Sequence, residues 1–128
     1  TNINMTFDDV NSTDWYGPAI QVLYDNGYIA GTSATTFSPK KEITREEAAV
    51  LMHRLMSRNG GVGEFENREM EDLNAVSGFA KDSAQQLYNM RIINGFGKEG
   101  VFAPKEKLTR YQMAAILDNT LKHMKFKN

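Results

Sequence analysis

Apolar residues fall at steps of three and four along the stretch from Trp15 to Leu23, at Trp15, Ala19, Ile20 and Leu23, which is the spacing that lines one face of a helix. Pro18 is tolerated only in a first turn, so the pattern predicts a helix opening near Tyr16 or Gly17 with Trp15 at its mouth. Gly27 is placed to end that helix in a left-handed cap. The stretch TSATTFSP, Thr32 to Pro39, has no helical period, and its threonines and terminal proline favour extended backbone. A second helix opens at Thr44. Glu47 stands three residues after it, the spacing of a capping box, and Ala48, Leu51, Met52 and Leu55 form its apolar stripe. Trp15, Leu23, Ile29, Phe37, Ile43, Leu51 and Leu55 are therefore expected in the core.

The same pattern recurs half a chain later. FDDV at Phe7 to Val10 meets MEDL at Met70 to Leu73, Trp15 meets Phe79, and AIQVLYDNGYIAG from Ala19 meets SAQQLYNMRIING from Ser83. Phe37, Pro39, Ile43, Thr44 and Arg45 then meet Phe102, Pro104, Leu108, Thr109 and Arg110, and Gln112 closes a second capping box. The stripe of the last helix is Met113, Ile116, Leu117 and Leu121. These matches predict a mainly α chain of two tandem helix-loop-helix repeats packed as one small helical module, with the first repeat over 1–58, a Gly-rich charged linker over 59–69, the second repeat over 70–121 and a tail over 122–128. Two helical hairpins shield only part of each other's stripes, so the expectation is either a two-repeat module that suffices or a homodimer, with association with a further repeat as the alternative.

Composition narrows the function. The 128 residues carry 15 Lys+Arg against 16 Asp+Glu, which leaves no broad basic field for nucleic acid or anionic lipid, so any anion site must be local. Cysteine is absent, which excludes disulfides and thiolate zinc sites. No run approaches the length of a membrane-spanning helix. His53 and His123 lack ligand spacing, and Asp8, Asp9 and Asp14 lack the pattern of an EF-hand loop, so no metal and no cofactor is expected. Glu46 and Glu47 point about 100° apart on a helix, and Glu47 is needed by the cap, so they do not make an acid/base pair.

The capping boxes leave one feature over. Arg45 and Arg110 each stand at the first helical position, where the helix dipole disfavours a cation. On one reading they lie on solvated faces or pair with nearby carboxylates; on the other they capture an anion beside the free N–H groups of the helix terminus.

FDDV, Trp15, AIQVLYDNGYIAG, FSP and ITREEAAVLMHRLM together resemble an S-layer homology repeat. That consensus runs Phe-x-Asp-Val, Trp, Ala-Ile, Leu-x-x-x-Gly-Ile-x-x-Gly, Phe-x-Pro and Ile-Thr-Arg-Ala-Glu. The resemblance covers nearly all of residues 7–56 and, more divergently, 70–121, where Phe79 replaces the tryptophan and Arg91 the first glycine. It implies a non-catalytic, extracellular module that anchors an exported protein to the Gram-positive cell wall by binding secondary cell-wall polysaccharide, whose sugars often carry a pyruvate ketal. By position it implies Arg45 and Arg110 as anion-binding residues, Gly31 and Gly95 as the glycines before the loop, and Trp15 as an aromatic at the groove. Asp14 would accept sugar hydroxyls and Tyr16 would offer a stacking surface, while Gly78 at the position of Asp14 weakens the second groove. The family commonly uses three repeats. The other reading is a structural or protein-interaction module of a larger exported protein, such as a wall hydrolase, that binds no sugar.

Overall fold

Four helices and two three-residue strands make up the regular structure of the computed structural model, which describes residues 5–58, 65–93 and 97–123. In chain order they are α1 (Gly17–Asp25), β1 (Glu42–Thr44), α2 (Arg45–Arg58), α3 (Lys81–Asn89), β2 (Lys107–Thr109) and α4 (Arg110–His123). Short 3-10 turns at Leu73–Ala75 and Gly78–Ala80 precede α3, and β1 pairs with β2 in a two-stranded sheet. The class is mainly α, as the periodicity predicts. Residues 59–64 of the expected linker, Gly95, and residues 124–128 of the expected tail lie outside the described residues.

The local signals act where the sequence places them. Pro18 sits in the first turn of α1, where its missing N–H costs no helical bond. Gly27 takes φ 75° and closes α1 in a Schellman motif, with its N–H donating to Tyr24 O and that of Tyr28 to Leu23 O. The end of α3 repeats both bonds, from Arg91 to Tyr88 O and from Ile92 to Leu87 O, so that Arg91 is held at φ 61°. Both capping boxes are closed. Thr44 N–H donates to Glu47 Oε1 at 2.9 Å and Glu47 N–H to Thr44 Oγ1 at 3.2 Å; Thr109 and Gln112 exchange the same pair at 2.8 and 3.2 Å.

The chain forms two compact units, and they divide it differently from the repeats. Among the described residues, unit 1 comprises those of 5–42 and 109–123, and unit 2 those of 43–108. In unit 1, α1 packs on α4; in unit 2, α2 packs on α3. Each unit thus joins the first helix of one repeat to the second helix of the other, where hairpin packing within a repeat was the expectation. The core of unit 1 holds Phe7, Val10, Tyr16, Ile20, Leu23, Phe37, Met113 and Leu117, and that of unit 2 holds Met52, Met56, Val76, Leu87, Tyr88 and Phe102.

Several side chains expected inside are not. Trp15 is 70% exposed and its counterpart Phe79 68%. At each helix mouth the next residue, Tyr16 or Ala80, is the one turned inward, and neighbouring residues at a helix start point in different directions. The stripes of the second helices are also rotated from those predicted. α2 buries Ala48, Ala49, Met52 and Met56 while Leu51 and Leu55 are half-buried, and α4 buries Met113, Ala114 and Leu117 while Ile116 and Leu121 are half-buried. Alanine at the contact lets helix backbones approach, which leaves the leucines at the margin. Ile29 and Ile43 are likewise half-buried.

Candidate functional site

Each unit is built around a Phe-x-Pro loop gripped from two directions. In unit 1, the carboxylate of Asp9 accepts the N–H groups of Phe37 and Ser38, both at 2.9 Å. Ser38 stands at φ 56°, and two charge-assisted bonds offset the cost of that left-handed conformation. Arg110 donates Nε to Phe37 O at 2.8 Å and Nη2 to Ala30 O at 2.9 Å. Unit 2 repeats the arrangement. Asp72 accepts from Phe102 and Ala103, both at 2.8 Å, Ala103 has φ 56°, and Arg45 donates Nε to Phe102 O at 2.7 Å.

The arginines therefore neither lie on solvated faces nor stand beside an open helix terminus. The first N–H groups of α2 are taken by main-chain carbonyls, Arg45 N–H by Glu106 and Glu46 N–H by Pro104, and those of α4 by Lys41 and Pro39. With the third donor of each helix held by its threonine, the helix-terminus half of the anion-capture expectation is overturned. Burial lowers the pKa of both guanidiniums, opposed by Asp72 and Glu106 at Arg45 and by Asp9 at Arg110.

The units also redistribute the expected ligand residues. Asp14, Trp15, Tyr16 and Gly31 stand in unit 1 with Arg110, whereas Arg45 belongs to unit 2. Tyr16 is buried and stacks on Tyr111, with ring centroids 4.5 Å apart and planes 18° apart. Trp15 sets its exposed ring edge-on to both, at 5.5 Å from Tyr16 and 5.9 Å from Tyr111. Asp14 accepts the N–H of Asn11 at 2.9 Å. Burial, and then the charge of Asp14, raise the pKa of the Tyr16 phenol. Gly31 has a packing reason of its own, since a Cβ there would lie 2.4 Å from Phe7 Cε1 and 2.5 Å from Thr36 O. Beside the loop of unit 1, a hollow of about 440 Å³ is lined by Asp9, Ser38, Pro39, Lys40 and Lys41.

In unit 2 the counterpart of Tyr111 is Glu46, a carboxylate only 4% exposed. Its Oε1 accepts Ser77 N–H at 2.9 Å, and its Oε2 accepts Ser77 Oγ at 2.7 Å and Lys105 Nζ at 2.9 Å. Burial alone would raise its pKa, but the bonds from Ser77 and Lys105, with the lysine's charge, outweigh that and lower it.

Asp72 and Tyr111 are not among the sequence candidates, and Asp9 and Glu46 enter there only as a calcium ligand and half of an acid/base pair, both set aside. The aspartates recur at equivalent places in FDDV and MEDL, and Glu46 and Tyr111 differ just where the two Thr-Arg blocks otherwise agree, so a signal for both existed.

Known proteins are similar to this chain over most of its length. The chain is 36% identical over 110 residues to an endoglucanase of Bacillus sp. (strain KSM-635), a match covering 86% of this chain and 11% of the relative. It is 29% identical over 123 residues to a surface-layer 125 kDa protein of Lysinibacillus sphaericus, covering 94% and 10%, and 23% identical over 120 residues to a cellulosome-anchoring protein of Acetivibrio thermocellus, covering 94% and 27%. The chain thus spans about a tenth of the length of the first two relatives. The family model of the S-layer homology domain matches residues 6–49 and again 69–114. With both repeats matched in order, the chain belongs to the S-layer homology domain family and, with it, to the extracellular cell surface.

Proposed function

We propose that the chain is a non-catalytic module that anchors a larger exported protein to the cell envelope by binding acidic secondary cell-wall polysaccharide, with unit 1 as the main binding face. The observation that carries this reading is Trp15, a large apolar ring 70% exposed yet braced edge-on by Tyr16 and Tyr111. An aromatic kept in water by a built support is a platform for the apolar face of a sugar. Asp14 beside it would accept sugar hydroxyls, and Lys40 and Lys41 line the hollow at the Phe-x-Pro loop of the same unit, where a polymer's ketal carboxylates would meet positive charge. Arg110 would contribute a guanidinium already fixed by Phe37 O and Ala30 O, so little side-chain entropy remains to be lost on binding. Arg45 would serve unit 2 in the same way.

A second reading has its own support. Nε of each arginine and the first N–H groups of α2 and α4 are engaged by the chain's own carbonyls, which suits a scaffold that presents the repeat fold to a protein partner. Sedimentation with purified walls separates the two. The wild-type chain should co-sediment with intact walls and lose that binding once the secondary polymer is extracted, and Trp15→Ala should bind intact walls at least tenfold more weakly, about 1.4 kcal/mol. Retention on extracted walls by both proteins would favour the protein-interaction reading.

A further inference from the structure

The two Thr-Arg blocks open α2 and α4 with the same capping geometry, but the residue after each arginine does different work. Tyr111 stacks on Tyr16, whereas Glu46 turns its carboxylate into a cradle made by Ser77 N–H, Ser77 Oγ and Lys105 Nζ. Lys105 Nζ also donates to Ser77 Oγ, so the donors are linked to one another as well as to the anion. None of the three belongs to α2, and the main-chain tie of Glu46 N–H to Pro104 O, beside Lys105, does not involve the Glu46 side chain. An amide, a hydroxyl and an ammonium converging on both oxygens of one carboxylate is the donor set by which proteins bind free carboxylates. The Lys105 side chain is 61% exposed, so the cradle opens to solvent on the lysine side. In unit 1 the residue at the position of Lys105 is Lys40, which has no ion-pair partner among the described residues.

We propose that Ser77 and Lys105 form a carboxylate-binding site in unit 2 whose resident occupant is the chain's own Glu46. The site is thereby closed to external acids in the wild-type chain, and, given the reading of unit 1 above, the module takes its acidic ligand mainly there. The ligand class is a small carboxylate, free or carried on a sugar.

The test uses acetate, not polymer, so that it stands apart from the wall-binding reading. Glu46→Ala empties the cradle while leaving its donors. Sodium acetate at roughly ten times its Kd should raise the thermal midpoint of this variant by about 4 °C more than sodium chloride of equal strength. The wild type should show no such difference, and in nitrogen-15 NMR the Ser77 amide should shift with acetate in the variant only. Adding Lys105→Ala should abolish the response. If Glu46→Ala does not hold its helices, acetate should restore the helical circular dichroism signal that chloride does not. Equal effects of acetate and chloride on Glu46→Ala would overturn the proposal and leave Glu46 as an internal tie alone, whatever the wild type does on cell walls.

Discussion

Arg110 lays its guanidinium over the ring of Phe37, 4.4 Å from the centroid, and donates Nε to the carbonyl of that same residue. Asp9 holds the N–H of Phe37 from the other side, so one residue's amide, carbonyl and ring are all engaged. Charge-assisted bonds of this kind contribute on the order of 1.5 to 3 kcal/mol. Arg110→Lys keeps the charge but cannot reproduce a planar fork on two carbonyls, so it should lose nearly as much stability as Arg110→Ala, about 2 kcal/mol. Urea unfolding followed at 222 nm checks this, and a lysine variant with the wild-type midpoint would show that the loop does not need the fork. Arg45→Lys should behave in parallel through Phe102 O.

The left-handed ends of α1 and α3 give a gain-of-stability prediction. Gly27 and Arg91 occupy equivalent places at φ 75° and 61°, but only glycine adopts that region without a Cβ penalty. Arg91→Gly should therefore relieve strain, offset in part by the larger backbone entropy of the unfolded glycine chain, for a net gain of about 0.5 kcal/mol. Gly27→Ala should lose about 1 kcal/mol. Differential scanning of both variants should move the midpoint in opposite directions, and a fall in both would mean that the arginine side chain's contacts outweigh its backbone strain.

Local chemistry was legible in this chain and partnership was not. Thr44 with Glu47, Pro18 and Gly27 could be read directly because each acts on backbone groups within a few residues. Which face of α2 is buried depends on α3, which lies far along the chain at Lys81–Asn89, and the apolar stripe is wide enough to allow either Leu51 or Ala49 inside. Self-similarity revealed two repeats but not that α1 would pack on α4, since equivalent helices carry equivalent stripes and either pairing satisfies them. For the same reason the repeat order alone pairs Asp14 and Trp15 with Arg45, while Arg110 is the arginine of their unit. Trp15 was misplaced because an aromatic at a helix mouth is usually core, and only the inward Tyr16 shows why this one is not.

Acid should unfold this protein partly through Glu46. Its folded pKa is depressed below the ordinary glutamate value, so its contribution is fully present above the unfolded pKa of about 4.3 and is lost as pH falls through the lower folded value. Glu46→Gln removes that linkage. The stability gap between wild type and Glu46→Gln should be constant near neutrality and shrink as the solution is acidified below about pH 4. Urea titrations of both proteins across that range check it, and a gap independent of pH would mean that the carboxylate's charge does not contribute.

Trp15 and Phe79 occupy the same structural position, nearly equally exposed, but their surroundings differ. Tyr16 and Tyr111 set their rings against Trp15, whereas Ala80 follows Phe79 and Glu46 takes the place of Tyr111. If exposure alone made a sugar platform, the two aromatics would matter equally to wall binding; if the braced indole makes it, Trp15 alone would. Because both side chains are mostly in water, alanine at either position should change stability by under about 0.5 kcal/mol. Trp15→Ala should lower affinity for purified secondary polymer at least tenfold, while Phe79→Ala should lower it less than about threefold. Tyr111→Ala should weaken binding while leaving Trp15 in place, because the indole would keep its surface but lose its support. Titration calorimetry of the three variants against purified polymer decides it, and equal losses at Trp15 and Phe79 would assign the binding to both units rather than to unit 1.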